Sequence, residues 1–341
     1  MSNDNYDLKF SICMPVYNSE DVISQTLCSI LTQSFNNFEV IIVDDCSNDN
    51  AVGVIKSFND ERIKYYKNEK NLGYPKNLEE CRKKAIGDII YLMGQDDILG
   101  KNALLNTYKA FKISDDIGAV TRPYFWFDKD IRTPVRAKKQ LNPENDEIIS
   151  INDAYNKIMD MFSTLDQLSG LAFRRSYMDM PFNEDIFPCH VYPFASIFKK
   201  HKVVFLKDYN VAVRINTSQT RLVSSIYDKS PIQSWKDLFD NVFCDDIYKD
   251  FKNYLIKNFV MKNYIGLVQI KNFGKFKYLF REIYLLLKYR WQNLFNFFFW
   301  VIAIGCIVIP PTLLIKMVDH YKNKINYKKF INVRFNYEIE F

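Results

Sequence analysis

Tyr91-Leu92-Met93-Gly94-Gln95-Asp96-Asp97-Ile98-Leu99 is an apolar run that ends in two adjacent carboxylates. A short hydrophobic run bounded by Gly and charge predicts a buried strand with acids at its C-terminal tip, where open α/β sheets bind ligands. Two carboxylates side by side repel unless a cation or a donor lies between them. Hard oxygen ligands suit Mg²⁺ or Mn²⁺, and a metal at that point would hold a diphosphate. The same pair also reads as a cap for the following helix, and these residues alone leave both readings open.

Three other loops carry groups of the same kind. Pro15-Val16-Tyr17-Asn18 follows a strand predicted over 10–14. Asp44-Asp45-Cys46-Ser47-Asn48-Asp49 follows one over 38–43, and Asn71-Leu72-Gly73-Tyr74-Pro75-Lys76-Asn77 follows one over 63–66. The acid pair itself follows a fourth strand over 89–93. Parallel strands bring their C-terminal tips to one edge. An aromatic ring, a carboxylate for a base or ribose, a cation and an acid pair would together make a nucleotide-diphosphate site. Each residue also has a plainer use: Asp44 as a cap, Tyr17 in packing, Asn71 in closing a turn.

The elements that must position these loops follow from periodicity. Helices are predicted over 20–31, with Ser19 as cap, over 47–58 and over 78–85. Strand and helix alternate within about ninety residues, which implies right-handed crossovers and a doubly wound, mostly parallel sheet. No GxGxxG follows the first strand, so a dinucleotide cofactor is not expected. Further on, helices are predicted over 104–111, 151–162 and 195–201. Strands are predicted over 120–127, 203–206 and 210–215, with a polar loop over 128–148. From 234 onwards the sequence is helical, aromatic and basic.

The chain has 341 residues, 48% hydrophobic and 16% aromatic, which excludes disorder. Its net charge of +6 is unevenly spread: residues 241–341 hold 16 Lys and Arg against 7 Asp and Glu. That asymmetry points to an anionic partner. No zinc-finger, RRM or helix-turn-helix signature accompanies it, so nucleic acid is not expected. Residues 297–315 carry no formal charge and approach the length of a membrane span, but Pro310 and Pro311 interrupt them and both flanks are basic. A single span, an in-plane anchor and a buried core helix remain open, with membrane attachment through about 294–318 favoured. Seven scattered cysteines without a CxxC pair suggest a reducing compartment and no structural zinc. Residues 1–9 are polar and do not read as a signal peptide, so Asn216-Thr217-Ser218 is not expected to be glycosylated.

Ser-Ile-Cys-Met-Pro-Val-Tyr-Asn, Val-Ile-Ile-Val-Asp-Asp-Cys-Ser-Asn-Asp, Asn-Leu-Gly-Tyr-Pro-Lys-Asn and Gln-Asp-Asp, in that order, resemble the family 2 glycosyltransferases of bacterial surface-polysaccharide synthesis. The resemblance covers about 8–220 and is strongest over 10–110. It implies a GT-A fold with a catalytic domain over 1–225, and the composition adds a helical, basic, aromatic region over 226–341. It also implies inverting transfer from a UDP- or dTDP-sugar to a glycan or lipid-linked acceptor at the cytoplasmic face of the membrane. In those terms Pro15 and Tyr17 would line the nucleobase pocket, and Asp45 would bond the base or ribose. Lys76 would take a place where the family often has Arg. Asp97 would ligate Mn²⁺ or Mg²⁺, and Asp96 would hold the donor ribose or sugar.

The general base is less well marked. Phe182-Asn183-Glu184-Asp185 matches an earlier element of the family, and counting on from it places the base near His190. His190 therefore ranks first, Asp185 second and Glu184 third; a helix-start role is the alternative for His190. Arg214 and Arg221 are expected in a loop that closes over the diphosphate. A nucleotide-sugar-binding protein without catalysis is the alternative function. A nucleotidyltransferase is disfavoured because no Gly-rich loop follows the first strand.

Overall fold

The structure of the chain, a computed structural model, describes residues 6–215, 217, 223–320, 333 and 335–336. Residues 1–184, 189–214 and 332–341 form one compact unit, and 185–188 with 215–331 form the other. The boundary therefore falls about ten residues earlier than the sequence suggests, and the described residues 333, 335 and 336 belong to the first unit.

In the first unit, β1 (Phe10–Val16), β2 (Phe38–Asp44), β3 (Ile63–Lys67) and β4 (Ile89–Leu92) pair in the order β3-β2-β1-β4, all parallel. The three inner strands are continuous apolar runs buried on both faces, as expected beneath crossover helices. α1 (Ile23–Leu31) buries Ile23, Leu27 and Ile30, spaced at i, i+4 and i+7. α2 (Ala51–Ser57) and α3 (Tyr74–Lys84) complete the alternation. Pairing of β1 with β4 ends at Cys13–Leu92, whereas pairing with β2 runs on to Val16–Asp44. The strands thus part at their C-terminal tips, at the point where the chain order reverses, and this forms the crevice in which such sheets bind ligands.

Beyond β4 the sheet is mixed rather than mostly parallel. β10 (Ala172–Arg174) runs antiparallel between β4 and β6 (Ile117–Thr121). β11 (Lys202–Phe205) is parallel to β6, and β9 (Glu147–Ile149) closes the edge antiparallel to it. A four-stranded sheet holds β5 (Ile98–Leu99), β12 (Val211–Arg214), β7 (Phe125–Phe127) and β8 (Arg136–Ala137) in that order. The predicted strand over 120–127 is two strands, because Pro123 interrupts the ladder and the chain leaves one sheet for the other. Ile98, Phe125, Phe127 and Ala212 form the small sheet's core, against which Phe335 packs. Helices α4 (Ala103–Phe111), α5 (Tyr155–Phe162) and α6 (Val191–Phe198) complete this unit.

The second unit is helical: α7 (Pro231–Val242), α8 (Lys249–Asn258), α9 (Ile265–Phe273), α10 (Phe276–Tyr289), α11 (Phe297–Val308) and α12 (Pro311–His320). Ser230 caps α7 through the Gln233 N–H and donates its hydroxyl to the buried Glu282 at 2.7 Å. Asn296 caps α11 through the Phe299 N–H. The apolar stretch over 294–318 is not one helix. α11 ends before Pro310, whose missing N–H and steric effect on Ile309 stop it, and Pro311 opens α12. Among the described residues no helix is long and apolar enough to cross a membrane.

Candidate active site

The acid turn leaves β4 as the sheet opens. Met93 N–H still bonds Cys13 O at 3.0 Å, and the next amide, Gly94 N–H, turns to Ser169 Oγ at 2.8 Å. A Cβ on Gly94 would lie 3.0 Å from Asp97 Oδ2 and 3.1 Å from Ser169 Oγ, so any larger residue would have to push these side chains apart by a few tenths of an ångström. Asp97 is 2% exposed. Its Oδ1 accepts the Arg214 N–H at 3.0 Å, and its Oδ2 accepts the Ser169 hydroxyl. Burial, followed by the neighbouring charge of Asp96, pushes its carboxyl up to about 8 against those two bonds. Asp96 is only half-buried.

Two arginines hold this turn. Arg214 ends β12 rather than riding a loop: its Nε donates to Asp96 O, its guanidinium reaches Gln25, and it lies over the Phe127 ring. Arg221 lies outside the described residues. Arg122 is buried and donates to the carbonyls of Thr164, Gln167 and Ser169, so it fixes the segment that carries the Ser169 hydroxyl.

The other loops join the same edge through named bonds. Gln95 Oε1 accepts the Tyr17 N–H at 2.7 Å and its Nε2 donates to Tyr17 O at 3.1 Å, a two-point clamp between the first and fourth loops. Asn18 N–H bonds Ser47 Oγ and Asn48 N–H bonds Asn18 Oδ1, which ties the first loop to the second. Asp45, 3% exposed, accepts the Leu72 and Gly73 N–H groups at 2.8 Å and the Asn68 amide at 2.9 Å, which ties the second to the third. Gly73, at φ +82°, adopts a backbone that favours glycine. Asp44 accepts the Ser47 N–H and the Tyr65 hydroxyl within the protein. Pro15, Tyr17, Asp45, Asp96 and Asp97 are therefore brought together at one sheet edge.

The ranked bases fare differently. His190 stands before α6, buried, with Nε2–H donating to Leu165 O at 2.8 Å and Nδ1 3.4 Å from the Tyr74 hydroxyl. Burial lowers its imidazole to about 4. Both ring nitrogens are engaged within the protein, so the ring bridges α3 to the segment that carries Leu165. Asp185 belongs to the helical unit, where it pairs with Lys229 and Ser234. Glu184 is exposed and lies 3.7 Å from the ammonium of Lys76, also exposed. Asp166 was not singled out from the sequence. It is half-exposed and bonded by Lys138 at 3.0 Å and by Tyr124; burial opposes its charge, but Lys138 and Tyr124 hold its carboxyl below the usual range. Ser169 lies three positions further along the chain, a reach of at most about 11 Å.

Among the described residues, no group of three or more His, Cys, Asp or Glu is placed to hold a metal by itself. Mg²⁺-type ions, however, are commonly held by one or two carboxylates together with substrate phosphates. Burial and the neighbouring charge of Asp96 both oppose the charge of Asp97, and a cation at this turn would relieve the second. This oxygen donor set fits a divalent ion that is completed by a diphosphate.

The family model described as glycosyl transferase family 2 matches residues 11–135, which contain all four loops. Residues 11–135 are a family 2 glycosyltransferase domain. This family 2 domain is 35% identical over 101 residues to the poly(ribitol-phosphate) beta-N-acetylglucosaminyltransferase TarS of Staphylococcus aureus, covering 28% of this chain and 18% of TarS. It is 38% identical over 98 residues to the Escherichia coli UDP-Glc:alpha-D-GlcNAc-diphosphoundecaprenol beta-1,3-glucosyltransferase WfgD, covering 29% of this chain and 39% of WfgD. The matched stretch thus spans less than half the length of either relative. The crystal structure of S. aureus TarS 1–349 with UDP-GlcNAc superposes with a TM-score of 0.66 at 16% identity, over 96% of this chain and 90% of that one. The fold is therefore GT-A-like, with a mixed sheet flanked by helices.

Proposed function

We propose that the chain is an inverting glycosyltransferase that moves a sugar from a UDP- or dTDP-linked donor to a hydroxyl of a lipid-linked or polysaccharide acceptor in surface-glycan synthesis, at the cytoplasmic face of the membrane. The observation that carries this reading is the joined sheet edge, where Gln95 clamps Tyr17 and Asp45 pins the third loop beside the acid turn. The TarS and WfgD names, and the UDP-GlcNAc held by TarS, support the choice of donor and acceptor class.

Tyr17 and Pro15 line the base side, and Asp45 offers its remaining lone pairs to the base or ribose. Lys76 supplies a point charge near the nucleotide. The two acids exchange the roles expected from sequence. Asp96, the more exposed, faces the metal and donor, while Asp97, with both oxygens bonded inside the protein, fixes the turn. A bound Mn²⁺ or Mg²⁺ neutralises charge on the leaving diphosphate. Asp166 is assigned as the base that receives the acceptor proton in the single displacement, because it is the half-exposed carboxylate on the segment tied to Asp97.

The test is turnover on a panel of UDP- and dTDP-sugars with Mn²⁺ and a lipid-linked acceptor. Asp166→Asn should lower kcat at least a hundredfold with donor affinity unchanged. Donor binding with no turnover of any acceptor would contradict the catalytic reading.

A further inference from the structure

α11 has two faces of different fate. Phe299, Ala303 and Cys306 are buried at i, i+4 and i+7. Phe297, Val301, Ile304 and Val308 repeat that spacing on the other side and are 84%, 50%, 53% and 71% exposed. An exposed helix face in water ordinarily carries charge, and α11 has none. With Trp300 these residues line an open groove of about 460 Å³. The exposure continues into Trp291, Leu294 and Phe295 before the helix and Leu313 and Met317 after it. An unbroken run of this kind exceeds the scattered apolar residues of an ordinary surface.

The sequence leading to this face is basic. α9 packs against both α11 and α12, and the charge of its Lys271 is felt at Cys306 of α11. Lys275, Lys277, Lys288 and Arg290 follow on and beside α10. Glu282, the sole acid between Lys262 and Ile315, is buried and bonded to Arg281 and Ser230. Exposed Tyr284 and Trp291 add the amphipathic rings that settle at headgroup level. At 12 residues α11 is about 18 Å long, against about 30 Å of hydrocarbon.

We propose that α11 and its flanking segments form a monotopic docking face for an anionic phospholipid bilayer, lying in the boundary between headgroups and acyl chains without crossing it. Apolar side chains enter the boundary, and the lysines of the preceding segments meet the lipid phosphates. This inference does not depend on the sugar chemistry proposed above.

The experiment is co-sedimentation of the full chain with vesicles of equimolar phosphatidylcholine and phosphatidylglycerol, beside vesicles of phosphatidylcholine alone. The wild type should sediment with the anionic vesicles, less with neutral ones, and less again at high salt. Phe297→Glu with Val308→Glu should lower the partition coefficient about tenfold or more with an unchanged thermal midpoint, because both positions are exposed. Lys275→Glu with Lys277→Glu should abolish the preference for anionic lipid while leaving the apolar face intact. No sedimentation with either vesicle at low salt would overturn the proposal, as would binding that both double variants leave unchanged. A dimer in light scattering that Phe297→Glu with Val308→Glu dissolves, with no vesicle binding by the wild type, would assign the face to a second copy and overturn it too.

Discussion

Ser169 gives its hydroxyl to Asp97 Oδ2 while its oxygen receives the Gly94 N–H, so one side chain 72 residues away closes the acid turn from both ends. Arg122, by holding the Ser169 carbonyl, extends that closure to β6. Asp97 therefore acts as the keystone of the turn, and Asp96 is the less buried of the two acids.

Removing that hydroxyl should be felt first as stability. Ser169→Ala leaves a buried carboxylate oxygen and a buried amide without their shared partner, and should cost about 2 kcal/mol in denaturant unfolding. Loss of UDP affinity with an unchanged unfolding midpoint would place Ser169 in the ligand site instead.

The acid pair makes stability depend on pH in the absence of divalent cation. Asp97 has its carboxyl raised from 3.8 to about 8, so between those values the folded state binds more protons than the unfolded one. This contribution is complete below about 4 and is lost as pH rises through about 8. Asp97→Asn should flatten the alkaline limb and raise the thermal midpoint at pH 8. A wild-type midpoint that rises steadily from pH 5 to 8, with no difference in the variant, would contradict it.

His190 works in the opposite direction. Its ring is lowered from 6.5 to about 4, so its contribution is complete above about 6.5 and is lost as pH falls through about 4. His190→Gln should remove that acid limb from the stability curve and, with Asp166 the proposed base, keep measurable turnover. Complete loss of kcat in a variant that still folds and binds donor would restore the ring as the base.

The Gln95 clamp should matter for affinity more than for stability. Gln95→Ala removes two hydrogen bonds that fix the Tyr17 backbone, and should weaken UDP binding about tenfold by calorimetry. Lys76→Ala should leave stability within about 0.5 kcal/mol, because its pair with Glu184 is exposed.

The donor half was legible because it is written in local runs. Each of the four motifs is a strand tip with its loop, and parallel pairing alone carries all four to one edge. The bonds that fix Asp97 were not legible because its partners, Ser169 and Arg214, are distant in sequence, whereas adjacency made the two acids look equivalent. The setting of His190 was hidden for the same reason: it is bonded to Leu165 and Tyr74, which no spacing near residue 190 reveals. Asp166 carried no motif, and only Lys138 and Tyr124 mark it. The Pro310 break was visible in the sequence, but which face of α11 stays exposed depended on how α9 packs against it.

The most direct measurement is calorimetry of UDP binding with and without Mn²⁺, for the wild type and for Asp96→Asn. The account predicts metal-dependent binding by the wild type and at least a tenfold loss in Asp96→Asn, with its thermal midpoint retained. Binding that is indifferent to Mn²⁺ and unchanged in Asp96→Asn would contradict it.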